Sequence, residues 1–204
     1  KTLKLKAQGD LTDLNFKNYR YQRVHIDGNT DRQLVIGTGK IIDPNLQLQF
    51  TTDIDWSSKP SYHLDADIQR ANLKRLNFFQ GDSINIINTK FHTSLIGDNI
   101  NNITGEFKSD SVSFTSSQGQ FVIRDINFLA EGDENERSLN LQSAIGHIDL
   151  KGRLDLNTIV PYFRALAMRY APAIGFEKNT FNRQDFDLNV NIKSFKPIAT
   201  FFRK

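Results

Sequence analysis

The stretch Leu46-Gln47-Leu48-Gln49-Phe50-Thr51-Thr52-Asp53-Ile54-Asp55-Trp56 decides the fold class. Leu46, Leu48 and Phe50 alternate with polar residues, and Ile54 and Trp56 resume the alternation after Thr51-Thr52-Asp53. Successive side chains of an extended chain point to opposite faces, so a period of two gives one apolar and one wet face. The same period returns in Tyr62, Leu64, Ala66 and Ile68, and again in Phe186, Leu188, Val190 and Ile192. Two-faced strands imply an antiparallel sheet, because parallel strands covered on both sides read as continuous apolar runs.

Working outward, the pattern predicts strands over 2–8, 20–27, 33–42, 46–56, 61–69, 89–97, 102–108, 111–116, 120–130, 138–145, 147–156 and 185–193. Turn chemistry separates them at Asp27-Gly28-Asn29, Asp43-Pro44-Asn45, Ser116-Ser117-Gln118-Gly119 and Gly132-Asp133-Glu134-Asn135. One segment departs from the period. Ile159, Val160, Phe163, Leu166, Ala167 and Tyr170 follow helical spacing, with Asn157 or Thr158 as cap, Pro161 in the first turn and Ala171-Pro172 as the stop. This predicts one helix near 158–171, packed on the sheet as a cap or plug, with Arg164, Met168 and Arg169 on its other side. A shorter helix is read over 71–79. Residues 62–68 also align with 186–192, a weak internal repeat of a strand followed by a short helix.

With few helices to cover them, twelve strands must fold back or curl, as a sandwich, a barrel or an open trough. The apolar row of the strands is ordinary core in the first two and is partly accessible in the third. Its members are Leu46, Leu48, Phe50, Ile54 and Trp56, then Tyr62, Leu64 and Ile68, then Phe107, Phe114, Phe121, Ile123 and Phe128. It continues through Leu139, Leu141, Leu150, Leu154 and Leu156 to Phe186, Leu188, Val190 and Ile192.

Composition excludes more than it identifies. The 204 residues contain sixteen Phe, one Trp, one Met and no cysteine, with a formal charge of +3. The apolar content exceeds that of a disordered chain. The lack of cysteine removes disulfides, thiolate zinc sites and thiol nucleophiles. No apolar run approaches the ~20 residues that span a bilayer as a helix. The chain starts on Lys1-Thr2-Leu3 without Met and ends on Phe201-Phe202-Arg203-Lys204 beside an apolar segment. It therefore reads as one mainly-β segment, 1–204, of a longer protein.

Catalytic and metal chemistry find no foothold in the pattern. His25-Ile26-Asp27, His63-Leu64-Asp65 and His147-Ile148-Asp149 place His and Asp on the wet face of a strand, as do Asp53/Asp55 and Asp65/Asp67. Acid–base work needs carboxylates in differing, partly buried settings. No phosphate loop, nucleophile elbow or zinc-binding helix motif occurs. Lys4, Lys6, Lys17, Arg20 and Arg23 interleave with Tyr19 and Tyr21, yet acidic residues intervene and the net field is too weak for a nucleic-acid platform.

Four segments, in order, carry a resemblance. These are Gly39-Lys40-Ile41-Ile42-Asp43-Pro44-Asn45-Leu46-Gln47-Leu48-Gln49-Phe50, then Leu64-Asp65-Ala66-Asp67-Ile68-Gln69-Arg70-Ala71-Asn72-Leu73-Lys74-Arg75-Leu76-Asn77, then Asn99-Ile100-Asn101-Asn102-Ile103-Thr104-Gly105-Glu106, then Leu141 through Leu156. Together they resemble the TamB family (translocation and assembly module subunit) of the AsmA-like superfamily, in its Bacteroidota form, over roughly 34–195. Gly146-His147 departs from that family's acidic-small pair. The resemblance implies a periplasmic protein tethered to the inner membrane by a helix outside this segment. Its body would be a long curled β-sheet with an apolar groove, without cofactor, catalytic residue or metal. Its partners would be phospholipid acyl chains or a lipid-like ligand, and an outer-membrane barrel of the BamA or TamA type. Its role would be phospholipid passage between membranes, outer-membrane protein assembly, or both. From the residues alone, a β-sandwich module presenting Trp56 and tyrosines to a glycan or protein ligand is the alternative.

Overall fold

Period-two alternation is realised as one open antiparallel sheet in the computed structural model, which describes residues 4–78, 86–116, 119–133, 135–159, 162–163 and 184–194. The strands are β1 (Lys4–Leu11), β2 (Leu14–Phe16), β3 (Tyr19–Tyr21), β4 (Val24–Asp31), β5 (Leu34–Ile42), β6 (Leu46–Asp55), β7 (Ser61–Asn72), β8 (Ile86–Ile96), β9 (Thr104–Ser116), β10 (Gly119–Glu131), β11 (Arg137–Ser143), β12 (Gly146–Arg153) and β13 (Asp185–Ile192). Eleven of them lie in the order β1-β4-β5-β6-β7-β8-β9-β10-β11-β12-β13, and β2 with β3 form a separate hairpin. A meander in chain order needs only short connections, and its two edges, β1 and β13, do not meet. The sandwich and the closed barrel are therefore not the architecture.

Register explains the faces. Cross-strand partners share a face, so a line of partners followed across the sheet is a row. One row reads Ala7, Gly28, Gly37, Thr52, Leu64, Thr93, Phe107, Phe128, Leu141, Ile148, Val190. The next reads Leu5, Thr30, Val35, Ile54, Tyr62, Leu95, Gly105, Ala130, Leu139, Leu150, Leu188. Both cross all eleven strands, with hardly a charged side chain between them.

Bulges keep the rows in phase. The register shifts between Ile68 and Ala71 on β7 and between Lys90 and Phe91, opposite Asp110. Asp125, at φ 56°, faces Asp110 across β9–β10 and the two are likewise left out of the ladder. The extra residue returns Ser109 and Val112, three apart, to the same face as Phe91 and Thr89. Beneath it the Thr89 and Ser109 hydroxyls, both buried, share a hydrogen bond of 3.0 Å.

Several expectations are corrected. Asp27-Gly28-Asn29 is strand, not turn. Gly28 is paired to Ala7 and Gly37, and the reversal falls after Asp31, with Arg32 at φ 57°. The separate strands 102–108 and 111–116 are one, β9, carried through by its bulge. The helix over 71–79 is absent among the described residues: β7 runs to Asn72, and a turn over 73–78 follows, closed by Phe78 N–H to Leu73 O at 2.9 Å. The first strand, β1, ends later, at Leu11, with residues 1–3 outside the described residues, and the strand over 20–27 is split between β3 and β4. Of the helix near 158–171, residues 160–161 and 164–171 lie outside the described residues. Its first turn is present, with Tyr162 N–H donating to Thr158 O at 2.9 Å. Of the aligned segments, β7 and β13 point their residues to one face and a turn, not a helix, follows β7, while residues 195–204 lie outside the described residues.

Candidate functional site

The apolar face is the candidate site, and its ends are built differently from its middle. At the end where β4 begins and β7 finishes, Tyr21, Val24, Leu46, Ala71 and Leu76 form a buried cluster, joined by Tyr19, Ile41, Leu48, Ile68 and Leu73. The β2–β3 hairpin folds its tyrosines onto this cluster, edge to face with ring centroids 4.9 Å apart. Asp43, 2% exposed in the Asp43-Pro44-Asn45 turn, locks them down. Its carboxylate accepts from the Tyr19 hydroxyl at 2.6 Å, from Gln22 N–H at 3.0 Å and from Asn45 N–H at 2.8 Å. Burial holds the Tyr19 phenol above its ordinary range, and the Asp43 carboxylate adds to the effect. Tyr21 is raised too, again chiefly by burial. The tyrosines are thus anchors rather than a stacking platform for bases.

At the opposite end closure is polar. Arg137, in line with Leu139 and Leu141, turns onto the apolar face and is 1% exposed. Its guanidinium donates to the carbonyls of Asn101 at 3.0 Å, Gly132 at 3.3 Å and Ile103. Burial lowers its affinity for the proton, and the carbonyls supply what water would. Asn101 reaches on to Asp155 Oδ1 at 3.1 Å and accepts from Leu156 N–H at 2.8 Å. The Gln184 side chain ties Asp155 to Thr158. β10 and β11 stand between β9 and β12, about 14 Å of sheet at the usual ~4.8 Å strand spacing. Contact across that width makes the β8–β9 connection a strap over the apolar side. Leu154, just past β12, is 1% exposed. Tyr162 and Phe163 then pack on Phe186, with ring centroids 5.7 and 5.5 Å away.

Between the two closures the face is only half-buried. Ile148, Leu188, Val190 and Ile192 are 38–47% exposed, and Ile26 is 38% exposed. Phe91 and Phe107 lie 5.1 Å apart, and Phe114 stacks on Phe121 at 4.7 Å. Gly39 leaves room for Phe50, whose ring would stand 2.2 Å from any Cβ placed there. Gly105, at φ 135°, sits where a Cβ would strike Ser94 O at 1.9 Å. At one rim Trp56, 53% exposed, meets Tyr62 edge-on at 5.4 Å.

The apolar-row members named from the sequence fall on this face by register, except Trp56, Leu154 and Leu156, which lie beyond the ends of β6 and β12. Leu46 is consumed in the tyrosine-capped cluster, and Leu150 and Leu154 are buried as well, so none of the three lines accessible surface. The alternation overlooked Val24, Ile26, Ile41, Phe91, Val112 and Ile126, which complete the rows. They became visible only once the bulges and the true turn after Asp31 set the phase.

The polar face carries the histidines, in pairings the His-x-Asp spacing does not show. His25 bonds to Asp10 on β1 at 2.8 Å, and Asp65 takes His92 at 3.0 Å rather than His63. Only His147 bonds the Asp two residues on, and Asn140 donates to that same Asp149. Among the described residues no group of three or more His, Asp or Glu is placed to hold a metal.

Fold and face together define a class: an open, meandering β-sheet protein with one continuous apolar side. Comparison with protein-family models, with curated proteins and with solved structures returned no match.

Proposed function

We propose that this chain is a non-enzymatic, TamB-like segment of a periplasmic envelope protein whose apolar face carries phospholipid acyl chains. In the full-length protein this would serve phospholipid passage between membranes, outer-membrane protein assembly with a barrel partner, or both. The observation that carries the reading is the pair of rows crossing all eleven strands, most of whose side chains keep partial exposure while Ala130 and Leu150 are buried. Water against such rows is replaced by acyl chain at about 25 cal/mol per Å² of apolar area covered. The attraction is non-directional, so a chain can slide along the rows without breaking a specific bond. Gly28 and Gly37 leave the β4–β5 part of the row without side chains, while Phe107 and Phe128 furnish its aromatic half.

The test is mass spectrometry of the purified chain for bound phospholipid, with Phe107→Asp and Phe128→Asp as partners. Lipid is expected with the parent and lost in the variants while their far-ultraviolet circular dichroism stays β. Reproducible absence of lipid from the folded parent would overturn the reading. Loss of glycan binding in Trp56→Ala, with no lipid in either protein, would favour the glycan-binding alternative.

A further inference from the structure

We propose that β1 is a dimerisation edge, pairing antiparallel with β1 of a second copy of this chain about a twofold axis normal to the sheet. Among the described residues β1 pairs only with β4, and all eight of its residues, Lys4–Leu11, are exposed. In an antiparallel ladder every second residue turns its N–H and C=O to one neighbour, so the alternate residues of β1 turn theirs to the open edge. Such an edge is a template for another strand unless proline, a bulge or a mismatched charge guards it. β1 contains no proline, and its ladder with β4 runs from Lys4↔Asp31 to Leu11↔Val24 without a shift. Its lysines, the remaining guard, are matched by its own aspartate.

The strand complements itself. When two antiparallel copies match odd residues with odd ones, their leucine sides share a face and open-edge residues meet open-edge residues. The register centred on Gln8 does this. It sets Leu5 opposite Leu11, Lys6 opposite Asp10 and Ala7 opposite Gly9, each pair occurring twice by symmetry. Leu5 and Leu11, 53% and 44% exposed in one chain, then lie against each other. The bonds within the chain are kept: Lys4 stays with Asp31 at 3.1 Å, and Asp10 Oδ1 with His25 at 2.8 Å, which leaves Asp10 Oδ2 for the second copy's Lys6. Beside Lys6 the edge carries an open hollow of about 320 Å³, reaching Asn29, Leu34 and Ile36, with room for the incoming side chains. The far edge offers no such match, since the wet side of β13 carries Asp185 and Asp187 without a cation. Joined at β1, two eleven-stranded sheets become one with both apolar faces on the same side, whether or not lipid occupies them.

The experiment is sedimentation velocity of the full chain over a range of concentration, where a monomer–dimer equilibrium is expected. Lys6→Asp and Asp10→Lys each set like charges opposite one another, and each is expected to raise the dissociation constant about tenfold or more. The double variant Lys6→Asp/Asp10→Lys is expected to restore the parent value, which a merely damaged fold would not do. The chain has no cysteine, so Gln8→Cys is expected to close a disulfide between two copies under mild oxidation. Thr51→Cys, on the same face of the interior strand β6, is expected to stay a thiol. A monomer at every concentration, or a dimer indifferent to both single variants, would overturn the proposal. So would particles growing beyond the dimer, the mark of head-to-tail joining of β1 to β13.

Discussion

Tyr21, on the β2–β3 hairpin, and Arg137, on β11, are both nearly inaccessible and close the two ends of the eleven-stranded sheet by different means. Around Tyr21 the closure is mainly apolar, with one carboxylate, Asp43, satisfied by three donors. Around Arg137 it is a strap of hydrogen bonds to backbone carbonyls, with the Asp133 carboxylate offsetting part of what burial does to its charge. The first resembles ordinary core and tolerates loss of one contact by partial collapse. The second is all-or-none, because removing the guanidinium leaves carbonyls buried and unpaired. The difference teaches that the apolar face is closed at its two ends by different chemistry, and the buried cluster around Tyr21, among the described residues, does not extend to Arg137.

The sharpest way to break this comparison is Arg137→Ala. It strips donors from three carbonyls and opens a cavity, and is expected to cost about 3 kcal/mol or more in chemical denaturation of the full chain. Arg137→Lys should recover little of that, because an ammonium cannot reach all three acceptors as a planar fork does. Leu76→Ala at the other end should cost about 2–4 kcal/mol while leaving hydrogen exchange around Asn101 and Asp155 unchanged. A shared loss of protection at both ends would show one core rather than two closures. Smallest is Tyr19→Phe, expected to cost about 1 kcal/mol for its hydroxyl bonds.

Tyr19 also gives the two ends different responses to alkali. A phenol raised by burial contributes stability that is complete below the ordinary phenol range and is lost as pH rises through the raised value. The Tyr19–Asp43 end should therefore loosen in strong alkali before the Arg137 end does, and Tyr19→Phe should blunt that response. Near-ultraviolet circular dichroism against pH, with exchange at Gln22 and Asn101 as local reporters, checks both statements.

Much of the sheet was legible because its signal is local. Alternation in 46–56, 61–69 and 185–193 needs only neighbouring residues, and the register preserves it. Where the chain stores an extra residue, the local signal misleads. Asp110 interrupts the parity of β9 and makes one strand read as two. Gly28 carries turn chemistry yet faces Gly37, while the real reversal at Arg32 has neither Gly nor Asn to announce it. The closures were illegible for another reason. Tyr19 with Asp43 and Asn101 with Asp155 are separated by 24 and 54 residues, beyond any periodic window. Arg137 did leave a signal, since its parity with Leu139 and Leu141 already placed a cation on the apolar side.

The central claim is that acyl chains can reach the apolar face between the two closures and nowhere else. Nuclear magnetic resonance with a phospholipid spin-labelled along its acyl chain tests it directly. The account predicts strong broadening at Leu64, Phe107, Phe128 and Ile148, with Tyr21, Leu76, Leu154 and Arg137 unaffected. Broadening confined to the polar face around His92 and Lys108, or none on the sheet at saturating lipid, would contradict it.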